Sequence, residues 1–277
     1  MINHSVLIAD SGSTKTDWAF MGKYIQTQGI NPFHQDENTI RNILQKELIP
    51  QLTSFCTYPT SILFYGSGVR PELEEKMRDI LQDVFPLVRH IEAHSDLLGA
   101  AHALCGESEG IACILGTGAN SCLFDGSQVV MNTPPMGYIL GDEGSGAVLG
   151  IRFLNALYKN RLHDQLLSDF ESFTGMSMAQ VIERVYRQPM PNRWLASLSV
   201  FIHQHLDSPA VNSIVKQNFI DFIRHNIIPY QRTDLPISAV GSIAYYYQEQ
   251  LAEAVIQEGF ILGKILRSPL DVLITKG

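Results

Sequence analysis

A short apolar strand, a turn of glycine and hydroxyl residues, and a second apolar strand occur twice in this chain. They open each half of its 277 residues. The first copy runs from residues 6–9 through Asp10-Ser11-Gly12-Ser13-Thr14-Lys15-Thr16 into residues 18–21. The second runs from residues 111–115 through Gly116-Thr117-Gly118-Ala119-Asn120-Ser121 into residues 122–124. Such a repeat restricts the chain to two related α/β halves, each offering one glycine-rich turn to a shared cleft. A polar, glycine-bounded break, Cys105-Gly106-Glu107-Ser108-Glu109-Gly110, separates them. It sets domains at 1–107 and 108–267, with a tail, 268–277, that can return to the first.

Around the turns, periodicity places the remaining elements. Short strands are expected at 24–30, 60–65, 88–93, 128–131, 236–240 and 260–266. Apolar residues at helical spacing predict helices over 36–48, over 71–84 behind Pro71, and over 97–104. Residues 147–158 read as helix, and mostly helical pattern continues to about 228.

Four motifs carry chemistry. Asp10 directly follows a buried strand, where a metal or its water shell could be bound. The Gly and hydroxyl residues after it can close backbone N–H groups around phosphate. A lone turn of this kind is more often an ordinary hairpin, and no G-x-x-x-x-G-K-[ST] loop is present. The second turn gains weight as the counterpart of the first. Gly141-Asp142-Glu143-Gly144-Ser145-Gly146 precedes a clear helix and reads as its N-terminus, with two carboxylates in or near the first turn. Capping alone explains one acid; the excess of glycine points to a ligand close to the backbone. Gly241-Ser242, at a strand end, offers a small-residue shelf for adenosine or a plain strand–helix turn. Asp96, between strand and helix, is either a cap or a general base.

The composition excludes some partners. Net charge is −8, with 45% hydrophobic and 17% charged residues, which argues against a broad basic surface for nucleic acid. Cys56, Cys105, Cys113 and Cys122 show neither C-x-x-C nor zinc spacing and read as reduced, mostly buried hydrophobes. No apolar run has membrane-spanning length and no basic leader precedes the first strand, so a cytoplasmic location is expected. The histidines show no metal-ligand set, and Tyr245-Tyr246-Tyr247 reads as a packed helix face.

In order and spacing, these motifs together resemble the N-acetylglucosamine kinase branch of the BadF/BadG/BcrA/BcrD-type ATPase family, over nearly the whole chain. The resemblance implies two ribonuclease H-like domains of the actin-like ATPase kind, with mixed sheets flanked by helices around an ATP cleft. It implies ATP and Mg²⁺ as cofactors and a small amino sugar as acceptor. Ser11, Gly12, Ser13, Thr14, Lys15 and Thr16 would then bind phosphates with Gly116, Thr117 and Gly118. Gly241 and Ser242 would hold adenosine, Asp10 would position the metal, and Asp96 would be the base. The sugar would lie against Asn31, Asp96, Asn120, Met136, Gly137 and Asp142. Met136 stands where the family usually carries a sugar-facing Trp, which leaves the particular sugar open. A homodimer is favoured by the same resemblance. The alternative is an ATPase activator or sensor without a sugar acceptor; an activator would need cysteines spaced for an iron–sulfur cluster.

Overall fold

The computed structural model describes residues 5–12, 14–55, 57–159 and 161–274. Ser13 and Cys56 lie outside the described residues. The chain divides into two compact units, one of the residues up to Gly106 with those from Ser268 onward, the other Glu107–Arg267.

In the first unit, a continuous apolar run makes the central strand. Leu7, Ile8 and Ala9 of β1 (Val6–Ser11) are all buried, as a strand covered on both faces requires. β2 (Lys15–Phe20) and β3 (Lys23–Gln28) follow as an antiparallel meander, and β4 (Ser61–Gly66) and β5 (His90–Ser95) add in parallel on the other side. The sheet order is β3-β2-β1-β4-β5. Its register sets Ser11 beside Gly66 and Gly66 beside Ser95, so three strands end level at one carboxyl edge. Trp18, Phe20, Phe64, Met77 and Leu81 form the core. Burying each such side chain stabilises by about 1.5–3 kcal/mol. The Trp18 indole, which cannot be buried unpaired, donates to Thr27 Oγ1 at 3.0 Å.

The helix Pro71–Val84 forms where its apolar spacing predicts, burying Met77, Ile80, Leu81 and Val84. The expected helix over 36–48 is instead a helix Glu37–Ile43, capped by Asp36, which widens into a π turn at Leu44–Leu48. Pro50 follows, with no N–H to continue a regular ladder. Near the chain's end a short helix, Leu270–Leu273, packs against β1 and the helix Asp96–Cys105, with Leu270 fully buried.

The second unit repeats the plan. β6 (Gly110–Leu115), β7 (Ala119–Phe124) and β8 (Val129–Met131) form a meander, and β9 (Pro236–Val240) and β10 (Ile261–Leu266) add in parallel. The order β10-β9-β6-β7-β8 is that of the first sheet. Between β8 and β9 lie helices packed on a second core. There Phe153, Phe170 and Phe201 stack with centroids 5.4–5.8 Å apart. Cys113 and Cys122 are buried in the strands β6 and β7. Among the described residues no helix is long and apolar enough to cross a membrane.

Candidate active site

In the first unit the acids gather at the carboxyl edge of the sheet. Asp10 is the penultimate residue of β1, opposite Asp17 of β2, and Asp96 opens the helix after β5. Asp96 is not that helix's cap, because Ser95 Oγ takes the Leu98 N–H at 3.2 Å. Burial pushes the Asp10 carboxyl up to about 7, with the charges of Asp96 and Asp17 adding to the shift and Lys15 opposing it. Burial likewise pushes Asp96 up to about 6, against the backbone N–H groups of Leu97 and of Asp96 itself. Among the described residues no three His, Cys, Asp or Glu side chains cluster as a metal site.

Strand alternation sends Asp10 and Ser11 to opposite faces. Ser11 and Thr16 are fully buried, and their hydroxyls meet at 2.6 Å. Ser11 Oγ also donates to Ile30 O at 2.8 Å, while the Ile30 N–H reaches both hydroxyls. Both side chains therefore tie the segment before Asn31 to the turn. Gly12, Thr14 and Lys15 are the exposed members of that turn, and Lys15 pairs with Asp17 at 2.6 Å. Asn31 is buried, with Oδ1 accepting the Phe33 N–H at 3.0 Å. Gly68, at φ +79°, sits directly on the Asn31 amide, where a Cβ would collide.

In the second unit, stretches far apart in sequence converge on the turn after β6. The N–H groups of Gly146 and Ala147, the first two residues of the helix Gly146–Tyr158, donate to Gly116 O at 2.8 Å and Thr117 O at 3.2 Å. The third, Val148, is satisfied by Ser145 Oγ. This helix N-terminus is thus occupied by the chain's own turn rather than open to an anion. Asp142 and Glu143 lie just before the cap, near the first helical turn as expected. The glycines around them are explained by packing. A Cβ at Gly141 would meet Pro135 O, at Gly144 the Phe222 side chain, and at Gly146 Ala196 and Ile243. Asp142, at φ +55°, accepts N–H groups of Ala119 and Gly137, and its Oδ2 lies 3.0 Å from where Gly118 would carry a Cβ. Burial pushes its carboxyl up to about 6, despite the Ala119 N–H. Gly241, at φ +120°, presses on Leu115 O and the Gly116 peptide, and so sets Ser242 beside the turn.

Asn120 is turned to structural use: its Oδ1 accepts the Ser121 N–H and Asn132 Nδ2 at 2.9 and 2.8 Å. Met136, at φ +59° and 62% exposed, precedes a one-turn helix, Gly137–Leu140, whose Ile139 and Leu140 are also exposed. Of the three tyrosines only Tyr247 is packed; Tyr245 and Tyr246 are exposed. Their helix ends at Tyr246, so only the last ring turns inward.

Several supporting residues escape a reading of the sequence. Asn218 bridges Gly144 N–H and Ser145 O at 3.3 and 3.2 Å, fully buried within the helix Pro209–Phe222. An Asn among apolar residues at core spacing is the signal that could have found it. Tyr230 Oη meets Ser121 Oγ at 2.7 Å and accepts the Thr133 N–H at 3.1 Å, steadying the approach to Met136.

Two five-stranded mixed sheets of one topology, each flanked by helices, define the actin-like ATPase class of fold. No family model and none of the curated proteins compared matches the chain. Among solved structures, a candidate N-acetylglucosamine kinase from Porphyromonas gingivalis is 48% identical, with a TM-score of 0.94 over 97% of each chain. A second candidate N-acetylglucosamine kinase, from Chromobacterium violaceum, is 16% identical with a TM-score of 0.70 over 93% of this chain and 94% of that one. A ROK family glucokinase from Streptomyces griseus, in complex with glucose and AMPPNP, is 14% identical with a TM-score of 0.54 over 96% and 94%. The last two share the fold. The chain belongs to the N-acetylglucosamine kinase-like branch of the BadF/BadG/BcrA/BcrD-type ATPase family.

Proposed function

We propose that this protein is an ATP-dependent kinase that phosphorylates a hydroxyl of a small amino sugar, N-acetylglucosamine or a close relative. The observation that carries the reading is Asp96, a carboxylate relieved of capping by Ser95 and set at the sheet edge that also holds Asp10. A carboxyl pushed up to about 6 is ionised at neutral pH yet basic enough to share a proton with an attacking alcohol. In the step proposed, the acceptor hydroxyl gives its proton to Asp96, and its oxygen bonds to the γ-phosphorus as the bond to the ADP oxygen breaks.

The donor set fits a hard divalent cation. Mg²⁺ is commonly held by one or two carboxylates with phosphate and water completing its shell. Asp10, crowded by the charges of Asp96 and Asp17, is the carboxylate such an ion would relieve. Bound there, the ion would neutralise charge on the β- and γ-phosphates. Gly12, Thr14 and Lys15 in one unit, and Gly116, Thr117 and Gly118 in the other, supply backbone and cation for phosphate. Gly241 and Ser242 supply the adenosine shelf. Ser11 and Thr16 act as positioning residues that hold Ile30 and, through it, Asn31. Asn31 and Asp142 hold the acceptor; the Asn31 Oδ1 is engaged by Phe33, so its Nδ2 does the binding.

A coupled ADP-release screen over N-acetylglucosamine, glucosamine, glucose and N-acetylmuramic acid tests the reading. ADP release that depends on an N-acetylated sugar is expected. Release of the same rate with no sugar present would favour an ATPase without an acceptor.

A further inference from the structure

At the sheet edge of the first unit, beside Asn31, stands a cation that no protein anion answers. Arg70 is exposed, and among the described residues no carboxylate lies within ion-pair distance of its guanidinium. The nearby acid Glu74 is engaged by His94 at 3.2 Å. Arg70 is nonetheless held in place. Its guanidinium carbon sits 4.0 Å from the centre of the Phe33 ring, at a distance suited to cation–π attraction. Phe33 in turn is fixed by its N–H, which donates to Asn31 Oδ1, and by the His34 ring edge at 4.9 Å. On the other side Arg70 N–H donates to Gly68 O, and Gly68 carries the Asn31 amide. Arg70, Phe33, Gly68 and Asn31 are therefore one locked group. It is tied to the sheet edge by Ser67 N–H on Ser11 O at 2.7 Å and by the level register of Ser11, Gly66 and Ser95.

A stacked guanidinium keeps its N–H fork in the plane of the group, free to grip a planar or tetrahedral anion with two parallel hydrogen bonds. An aromatic ring 49% exposed next to it offers an apolar face to the same ligand.

We infer that Arg70, braced by Phe33 beside Asn31, forms an anion subsite for an acidic substituent of the acceptor, so that the preferred acceptor is an amino sugar bearing a carboxylate. The inference rests on the kinase reading above for the place of the acceptor. The other source of an anion is a nucleotide phosphate. Asn31 decides between them: a carboxamide buried against Gly68 and Phe33 suits a hydroxyl or acetamido group.

The test compares kcat/KM for N-acetylmuramic acid, which carries a lactyl carboxylate, with that for N-acetylglucosamine in the wild type, Arg70→Met, Arg70→Lys and Phe33→Leu proteins. Replacing a fork that binds a charged group lowers the acid-to-neutral ratio by about 10- to 100-fold in Arg70→Met. Arg70→Lys restores part of that ratio, and Phe33→Leu loses a smaller part. A ratio unmoved by Arg70→Met overturns the inference. A rise in the ATP KM alone assigns Arg70 to the nucleotide and overturns it too. Calorimetric titration with N-acetylmuramic acid, without nucleotide, separates the two failures. Binding that weakens in Arg70→Met without any turnover in wild type keeps the subsite and removes the kinase; equal binding in both removes the subsite.

Discussion

Set side by side, the two units run the same five strands in the same order and differ at the one turn they share. Where the first has Asp10, Ser11, Thr16 and Asp17 across the paired strand ends, the second has Ile114, Leu115, Ala119 and Asn120. The first turn is thus built on charge and buried hydroxyls, the second on apolar strand ends and bare backbone. The second unit obtains its acid from outside the hairpin, as Asp142 reaches back to the Ala119 N–H. One scaffold copied twice can carry unlike residues at the same turn: carboxylates and hydroxyls at the first, mostly backbone at the second. The difference predicts that losing the Asp96 carboxylate strikes turnover, and that crowding the backbone at Gly241 strikes stability and nucleotide binding.

The largest effect is expected from Asp96→Asn, which should lower kcat by about 100- to 10,000-fold with the ATP KM little changed. Steady-state kinetics decide it, and an unaltered kcat would remove the proposed base. In the second unit, Gly241→Ala should cost about 2–4 kcal/mol of stability. Its Cβ would enter Leu115 O at a left-handed φ. Denaturant unfolding measures this, and the ATP KM should rise with it. Ser11→Ala leaves the Ile30 N–H and C=O poorly paired and should cost about 1–3 kcal/mol. The acceptor KM should rise more than the ATP KM, since Asn31 follows Ile30.

The smallest effect separates function from stability. A carboxyl whose folded-state pKa lies near 7 binds its proton more tightly in the folded protein than in the unfolded chain. Its contribution is full below about pH 4 and lost as pH rises through 7. Asp10→Asn should therefore raise the Tm of the ligand-free protein at pH 8 by about 2 °C or more, and change it little at pH 4. The same substitution should abolish the gain in Tm that Mg²⁺ gives the wild type. A lower Tm at pH 8 would show that Asp10 is held by a partner rather than strained.

Much of this was legible in the residues. The turn after each first strand, the strand at 236–240 and the helix behind Pro71 all lie where periodicity and turn chemistry put them, because local pattern and tertiary burial agree there. The details that stay hidden in the residues share a cause. Ser11 and Thr16 read as phosphate ligands by type; that their side chains turn inward is visible only in the register and burial. Gly141–Gly146 reads as a helix N-terminus, and the structure identifies Ser145, ahead of Gly146-Ala147-Val148, as its cap. That Pro135, Phe222 and Ala196 fill the space beside the glycines of Gly141–Gly146 is likewise visible only in the structure. Arg70 carries no motif at all; its meaning lies in what surrounds it.

The most direct test of the proposed nucleotide site is an amide NMR titration with Mg·AMPPNP. Resonances of Gly12 in the first unit and of Gly116, Gly118 and Gly241 in the second should shift together, with one saturation curve. Nucleotide that saturates the protein and leaves the glycines of either turn unmoved would contradict it.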